Sequence, residues 1–213
     1  MRWMETERLA MVETFRGADP EAPTLCEGWN GRRLLAHLVM REHAPLKQLL
    51  DAASRPVPGS ERRLGDVAAA ALTPAGYGGL LARFAAGTGT ANPMTWLGDS
   101  VQLVEYVIHH EDVRRGGGNH QPRSLPPGQL DALWARLPLM ARMAYRRSPT
   151  AVTIAAKNHP AVPVHKGSGR VLVSGDPVEV ALYISGRQRA ADVDVTGSGA
   201  ALDAFLEWSA RET

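Results

Sequence analysis

The chain has one cysteine, Cys26, among its 213 residues. An internal disulfide is therefore impossible, and a cysteine-rich zinc module is excluded. Lysine is almost as scarce: only Lys47, Lys157 and Lys166 occur, so nearly all basic charge is arginine. The arginines alternate with acids, as in Glu61-Arg62-Arg63 and Glu111-Asp112-Val113-Arg114-Arg115, and the net charge is only +2. No basic stripe interleaved with aromatics results, which argues against a nucleic-acid partner. No stretch approaches eighteen uninterrupted apolar residues, so no membrane-spanning helix is expected. The segment Met1 to Arg8 carries acids and lacks an apolar signal core. A cytoplasmic protein is the expectation. The richness in Ala, Gly, Pro and Arg suggests a GC-rich genome.

Hydrophobic residues make up 44% of the chain, ample for a substantial core. A helix is predicted over 4–17, with Leu9, Met11, Val12 and Phe15 as its apolar stripe, stopped by Gly17 and Pro20. A second is predicted over 31–53, its apolar set being Leu34, Leu35, Leu38, Val39, Leu46, Leu49 and Leu50. Pro45 lies inside that pattern, where it kinks or resets the helix. Shorter helical pieces over 61–71 and 75–86 read as parts of a long crossover. Long helices follow over 95–115 and 127–146. Near Ser148-Pro149 the pattern changes. Ala151–Ala156, Arg170–Ser174 and Asp192–Thr196 read as short strands. Asp176-Pro177 opens a helix as N-cap and first-turn proline, and a last helix is expected over 199–210. The predicted organisation is α+β: a helical domain over 1–149 and a small α/β domain over 150–213.

The candidate chemistry lies on two of these helices. In Leu34-Leu35-Ala36-His37-Leu38 one histidine interrupts an apolar run. In Glu105-Tyr106-Val107-Ile108-His109 a carboxylate and an imidazole are four residues apart, hence on the same side of a helix. Together the two segments offer two imidazoles and one carboxylate, the donor set of a catalytic zinc with an open position. The plainer readings are a hydrogen-bonded core histidine at His37 and an i,i+4 ion pair at the rim for Glu105 and His109. Asp112 continues their stripe. His110 lies well round the helix, and His43 is nearly two turns past His37. His120, His159 and His165 fall in predicted loops. Cys26, near a helix start, is either a reactive thiol or a small buried hydrophobe. Arg114 and Arg115 suit the helix C-terminus. Gly167-Ser168-Gly169 and Gly197-Ser198-Gly199 read as turns.

Three motifs carry a resemblance: Pro23-Thr24-Leu25-Cys26-Glu27-Gly28-Trp29, Leu35-Ala36-His37-Leu38, and Glu105-Tyr106-Val107-Ile108-His109-His110-Glu111-Asp112-Val113-Arg114-Arg115. Together they resemble actinobacterial members of the DinB-like metal-binding superfamily, in the branch of the mycothiol-dependent maleylpyruvate isomerase family. Ser174-Gly175-Asp176-Pro177 and Ser185-Gly186-Arg187 are similar to the small α/β domain of that branch. The resemblance implies a four-helix bundle of up-down-down-up order with a long crossover after its second helix. It implies a divalent metal, usually zinc, held by His37, Glu105 and His109. The implied activity is that of a metal-dependent enzyme using a low-molecular-weight thiol such as mycothiol, in transfer to or cis–trans isomerisation of a small electrophile. Asp112 would orient a ligand from behind, and Arg187 is the candidate for holding a carboxylate of thiol or substrate. The alternative is a non-enzymatic module that binds a metal or a small ligand.

Overall fold

A computed structural model describes residues 2–88 and 99–211; the first residues of the helix predicted from 95 lie outside the described residues. The chain forms two compact units, Met1–His120 and Gln121–Thr213. The architecture is α+β, with a helical first unit and a second unit built on a four-stranded sheet.

The first unit contains α1 (Trp3–Gly17), α2 (Gly31–His43), α3 (Pro45–Ala53), α4 (Arg62–Ala69), α5 (Pro74–Ala86) and α6 (Asp99–Gly116). Helix α1 packs against α5 and α6, and α2 against α3, α4, α5 and α6. Its core is lined by Met11 and Phe15 of α1, Leu34, Leu35 and Leu38 of α2, Phe84 of α5, and Leu103, Tyr106 and Val107 of α6. Phe84 meets the ring edges of both Phe15 and Tyr106. Helix α5 is thus a packed member of this unit rather than a crossover piece.

Two expectations about the helices change. Pro45 ends one helix and begins the next, because its missing N–H and fixed φ suit a first turn and not an interior. The phase resets there. Leu46, Leu49 and Leu50, expected in the core, are 52–73% exposed, while Asp51 turns inward. Asp51 then caps α4, accepting from the Leu64 N–H at 2.9 Å and the Arg63 side chain at 3.2 Å. In α1, Leu9 is likewise exposed, and Glu7 and Arg8 are buried beside Met4, Met11 and Val12.

The second unit begins with α7 (Pro127–Trp134) and α8 (Leu137–Ala144). Predicted as one helix, they are separate because Pro138 cannot supply the N–H that continuation requires and would clash with the carbonyl four residues back. The strands β1 (Thr150–Ala156), β2 (His159–His165), β3 (Ser168–Gly175) and β4 (Val193–Gly197) lie in the order β2-β1-β3-β4, with α9 (Pro177–Ile184) before β4 and α10 (Gly199–Arg211) after it. Strands β1 and β3 are parallel; the outer pairs are antiparallel. Val152, Ile154, Val171 and Val173 are buried on the sheet, α9 packs against β1 and β3, and Phe205 of α10 is buried too. Asp176 caps α9 by accepting from the Val178 N–H at 2.9 Å. Helices α7 and α8 pack on α9, and α8 on β2, so the unit boundary falls near residue 120 rather than at the expected 149/150.

Strand β2 was not anticipated. It contains Pro160 and Pro163, and a proline within a run argues against a central strand. As an edge strand β2 tolerates both. The two-residue turn Lys157-Asn158, with Asn158 at φ 66°, joins it to β1. His159 and His165 therefore sit at strand ends and not in loops. His159 Nε2 lies 3.0 Å from Asp131, and its ring rests against Trp134.

Candidate metal centre

The centre begins with the loop before α2. Asn30 caps that helix, accepting from the Arg33 N–H at 2.9 Å. Upstream, Leu25 N–H donates to the carbonyl of Asp112 at 3.0 Å, which ties the loop to the last turns of α6. Gly116 allows this approach: a Cβ there would lie 2.3 Å from Thr24 Cα. Gly28, at φ 71° and against the Pro58 backbone, lets the loop turn back. Cys26 and Trp29 are thereby carried towards the facing surfaces of α2 and α6.

On α2, the buried Leu34, Leu35, Leu38 and Val39 leave His37 half-buried. Its ring lies 4.9 Å from Trp29 and 5.1 Å from His109, between centroids. On α6, Glu105 and His109 face it. One ligand atom from each of His37, Glu105 and His109 lies within 4.8 Å of the others. The structure thus brings these three residues together.

The His109 ring has two different sides. Its Nδ1 is 2.8 Å from Asp112 Oδ2, and that carboxylate also accepts from Cys26 Sγ at 3.1 Å. Its Nε2 is 3.5 Å from Glu105 Oε2. Cys26, His109 and Asp112 form a second group of donors near one another. The separations distinguish the two groups. Two ligands held at about 2.0–2.1 Å around a tetrahedral ion are about 3.3–3.4 Å apart. The Nε2 side fits that spacing. The 2.8 Å contact on the Nδ1 side is instead a charge-assisted hydrogen bond. It fixes the ring orientation and the proton on Nδ1, as partners behind a metal-binding histidine do.

The electrostatics agree with this assignment. Burial, then the neighbouring His109 and Arg41 charges, push His37 down to about 3, against the weaker pull of Glu105, so its imidazole is a neutral donor. Burial would raise the Glu105 carboxyl, but the His109 hydrogen bond and the Arg41 and His109 charges prevail and hold it at about 2. Burial also opposes charge on His109, yet Asp112, Cys26 and Glu105 raise it well above the ordinary histidine range. A cation at Nε2 would therefore displace a proton.

Two other histidines of this unit have different partners. His110 is buried, with Nδ1 2.6 Å from Glu7 and Nε2 2.7 Å from Thr14 of α1. His43 is half-buried, 3.8 Å from Glu42. Arg187 belongs to the second unit, where it donates to the Ser185 carbonyl at 2.6 Å. Sequence reasoning missed two neighbours of the centre. Cys26 touches Asp112 across 86 positions, a contact with no local signal. Arg41, with Nε 3.7 Å from Glu105, was legible in principle because it is four residues after His37 and so on the same helix side.

A family model described as the mycothiol maleylpyruvate isomerase N-terminal domain matches residues 3–114. The chain belongs to that family. Cys26, His37, Arg41, Glu105, His109 and Asp112 all fall within the matched residues, whereas Arg187 and the sheet lie beyond them. The solved structure of the mycothiol-dependent maleylpyruvate isomerase is similar to this chain at 15% identity and a TM-score of 0.39, over 92% of this chain and 90% of that one. No curated protein matches. Among the described residues, no helix is long and apolar enough to cross a membrane.

Proposed function

We propose that this chain is a metal-dependent enzyme of the mycothiol maleylpyruvate isomerase N-terminal domain family. Its thiol is a low-molecular-weight one such as mycothiol, and its reaction is transfer to, or cis–trans isomerisation of, a small electrophile. The observation that carries this reading is the His37–Glu105–His109 cluster, with its 3.5 Å Nε2–Oε2 edge beside a carboxylate that is 40% exposed. The cluster suits a divalent cation, with zinc as the first choice from two imidazoles and a carboxylate. Such a cation, when bound, favours the thiolate form of a thiol at its open position.

The chain's own residues divide the remaining work. His37 presents a neutral nitrogen, His109 would present one once a cation displaced its proton, and Glu105 would offset part of the ion's charge. Asp112 accepts the Nδ1 proton of His109 and so keeps Nε2 turned to the cluster. Cys26 donates its S–H to the same carboxylate and is not the nucleophile in this scheme. The half-exposure of Glu105 leaves a path by which thiol and substrate enter from solvent. In the same reading the helical domain is a DinB-like bundle in up-down-down-up order, and the protein works in the cytoplasm on small molecules.

The test is metal analysis of protein purified without chelator, followed by thiol consumption with a panel of small electrophiles. We expect about one divalent ion per chain and a thiol-dependent reaction, read as thiol loss for transfer or as cis–trans conversion with the thiol returned, that stops on chelation and returns with zinc. Protein that neither carries nor takes up metal, with its fold intact by circular dichroism, would end the proposal.

A further inference from the structure

We propose that Arg41 forms an anion subsite beside the His37–Glu105–His109 cluster and that it takes the carboxylate of a small organic acid. The inference rests on the metal-dependent reading only in making that acid the substrate.

Arg41 stands one turn after His37 on α2, as Glu105 stands one turn before His109 on α6. The two i,i+4 pairs face each other, so the guanidinium borders the cluster. Its side chain is only 11% exposed. The nearest carboxylate, Glu105, is 3.7 Å from Nε, beyond hydrogen-bond length. Nη1 is buried and has no hydrogen-bond partner among the described residues. Arg8 also leaves a buried Nε unmet, but its Nη1 holds Glu5 at 2.9 Å, and three further arginines of this unit each hold a carboxylate at hydrogen-bond length. Arg32 holds Glu21 at 2.8 Å, Arg33 holds Glu61 at 2.6 Å and Arg115 holds Glu111 at 2.7 Å.

A buried guanidinium nitrogen without an acceptor is costly. An incoming anion removes that cost. A carboxylate fits best: it is planar, carries a single charge and offers two acceptors to the guanidinium fork. A phosphate dianion is less suited. Arg41 lies in the last turn of α2, where carbonyl ends point, and Glu105 stands beside it. Such a subsite would select acids over their neutral analogues and hold the acid's far end while its reactive carbon meets the thiol.

The test is calorimetric titration of the full chain with succinate and with its neutral isostere succinamide. Wild type, Arg41→Gln and Arg41→Lys are compared with and without zinc, and metal content is measured on the same samples. Wild type should bind succinate in preference to succinamide, and Arg41→Gln should weaken succinate binding by about tenfold or more. Should Arg41→Gln fail to fold, Arg41→Lys decides the matter, since it keeps the charge without the fork and should still bind more weakly than wild type. Equal succinate affinity in wild type and variant overturns the subsite, as does wild type that binds succinamide equally well or binds no succinate. Arg41-dependent binding in a chain that takes up no metal supports the subsite and removes the metal reading. Metal uptake with no effect of Arg41 does the reverse.

Discussion

Two neighbouring residues of α6 meet opposite surroundings. His110 turns to α1, where Glu7 and Thr14 occupy both of its ring nitrogens, and it is 3% exposed. His109 turns to α2, where one nitrogen is held by Asp112 and the other looks across 3.5 Å to Glu105 with His37 alongside. The first histidine is a finished piece of polar core. Both of its nitrogens are paired within the protein, and nothing is left to bind. The second belongs to a group at ligand spacing, next to a half-exposed carboxylate and an arginine with an unmet donor. Burial alone would not separate them, because both helix faces are largely covered. What separates them is whether the polar atoms are satisfied within the protein.

The contrast is sharpest in metal binding, where the largest effect is expected. His109→Ala should lose the bound ion entirely, whereas His110→Ala should keep it, as metal analysis of the two purified variants would show. Equal loss in both, with native circular dichroism, would mean that the two faces had been assigned the wrong way round.

Next in size is the support behind His109. Asp112→Ala should weaken metal affinity by about 10–100-fold, since the ring loses the partner that orients it. Competition with a chromophoric chelator would measure this. Cys26→Ser should stay near wild type in the same assay and in thiol turnover. A complete loss of turnover in Cys26→Ser, with metal retained, would shift the chemistry onto the protein thiol.

The paired face should show its role in stability instead. Urea unfolding of metal-free His110→Ala should reveal a loss of about 1–3 kcal/mol, because the buried Glu7 carboxylate and Thr14 hydroxyl each lose a partner. An unchanged midpoint would remove the distinction between a structural and a functional histidine.

The smallest effect calibrates the others at a carboxylate that belongs to neither face. Asp51 is 4% exposed and caps α4. Burial would raise it, but the hydrogen bonds from Leu64 N–H and Arg63 prevail and hold it below the ordinary 3.8. A carboxyl lowered by folding stabilises the protein above its unfolded value, and the gain is lost as pH falls through the lowered folded value. Asp51→Ala should therefore cost about 0.5–2 kcal/mol at neutral pH, with the difference from wild type shrinking below about pH 4. A difference that grows in acid would reverse the sign of this coupling.

Much of the architecture was legible because periodicity is a local property. Apolar spacing located the helical segments of the first unit, and Asp176-Pro177 marked the start of α9. The same periodicity placed Glu105, His109 and Asp112 on one stripe and His110 off it. The failures came where a neighbouring element overrides local preference. Two prolines disguised β2, since only its position at the sheet edge makes them tolerable. Pro45 reset the phase of α3, so leucines counted into the core face outward and Asp51 faces in.

The sequence by itself determined which residues share a helix side, where the chain must turn, and that the second half would change to strands. Those properties depend on contacts within a few residues. Only the tertiary structure decided that His37 meets Glu105 and His109, that Asp112 and Cys26 close the far side of the His109 ring, and that Arg41 keeps a buried donor unmet. These depend on how α2, α6 and the loop carrying Cys26 approach one another, and no local pattern records the distance between residues 37 and 109 or between 26 and 112.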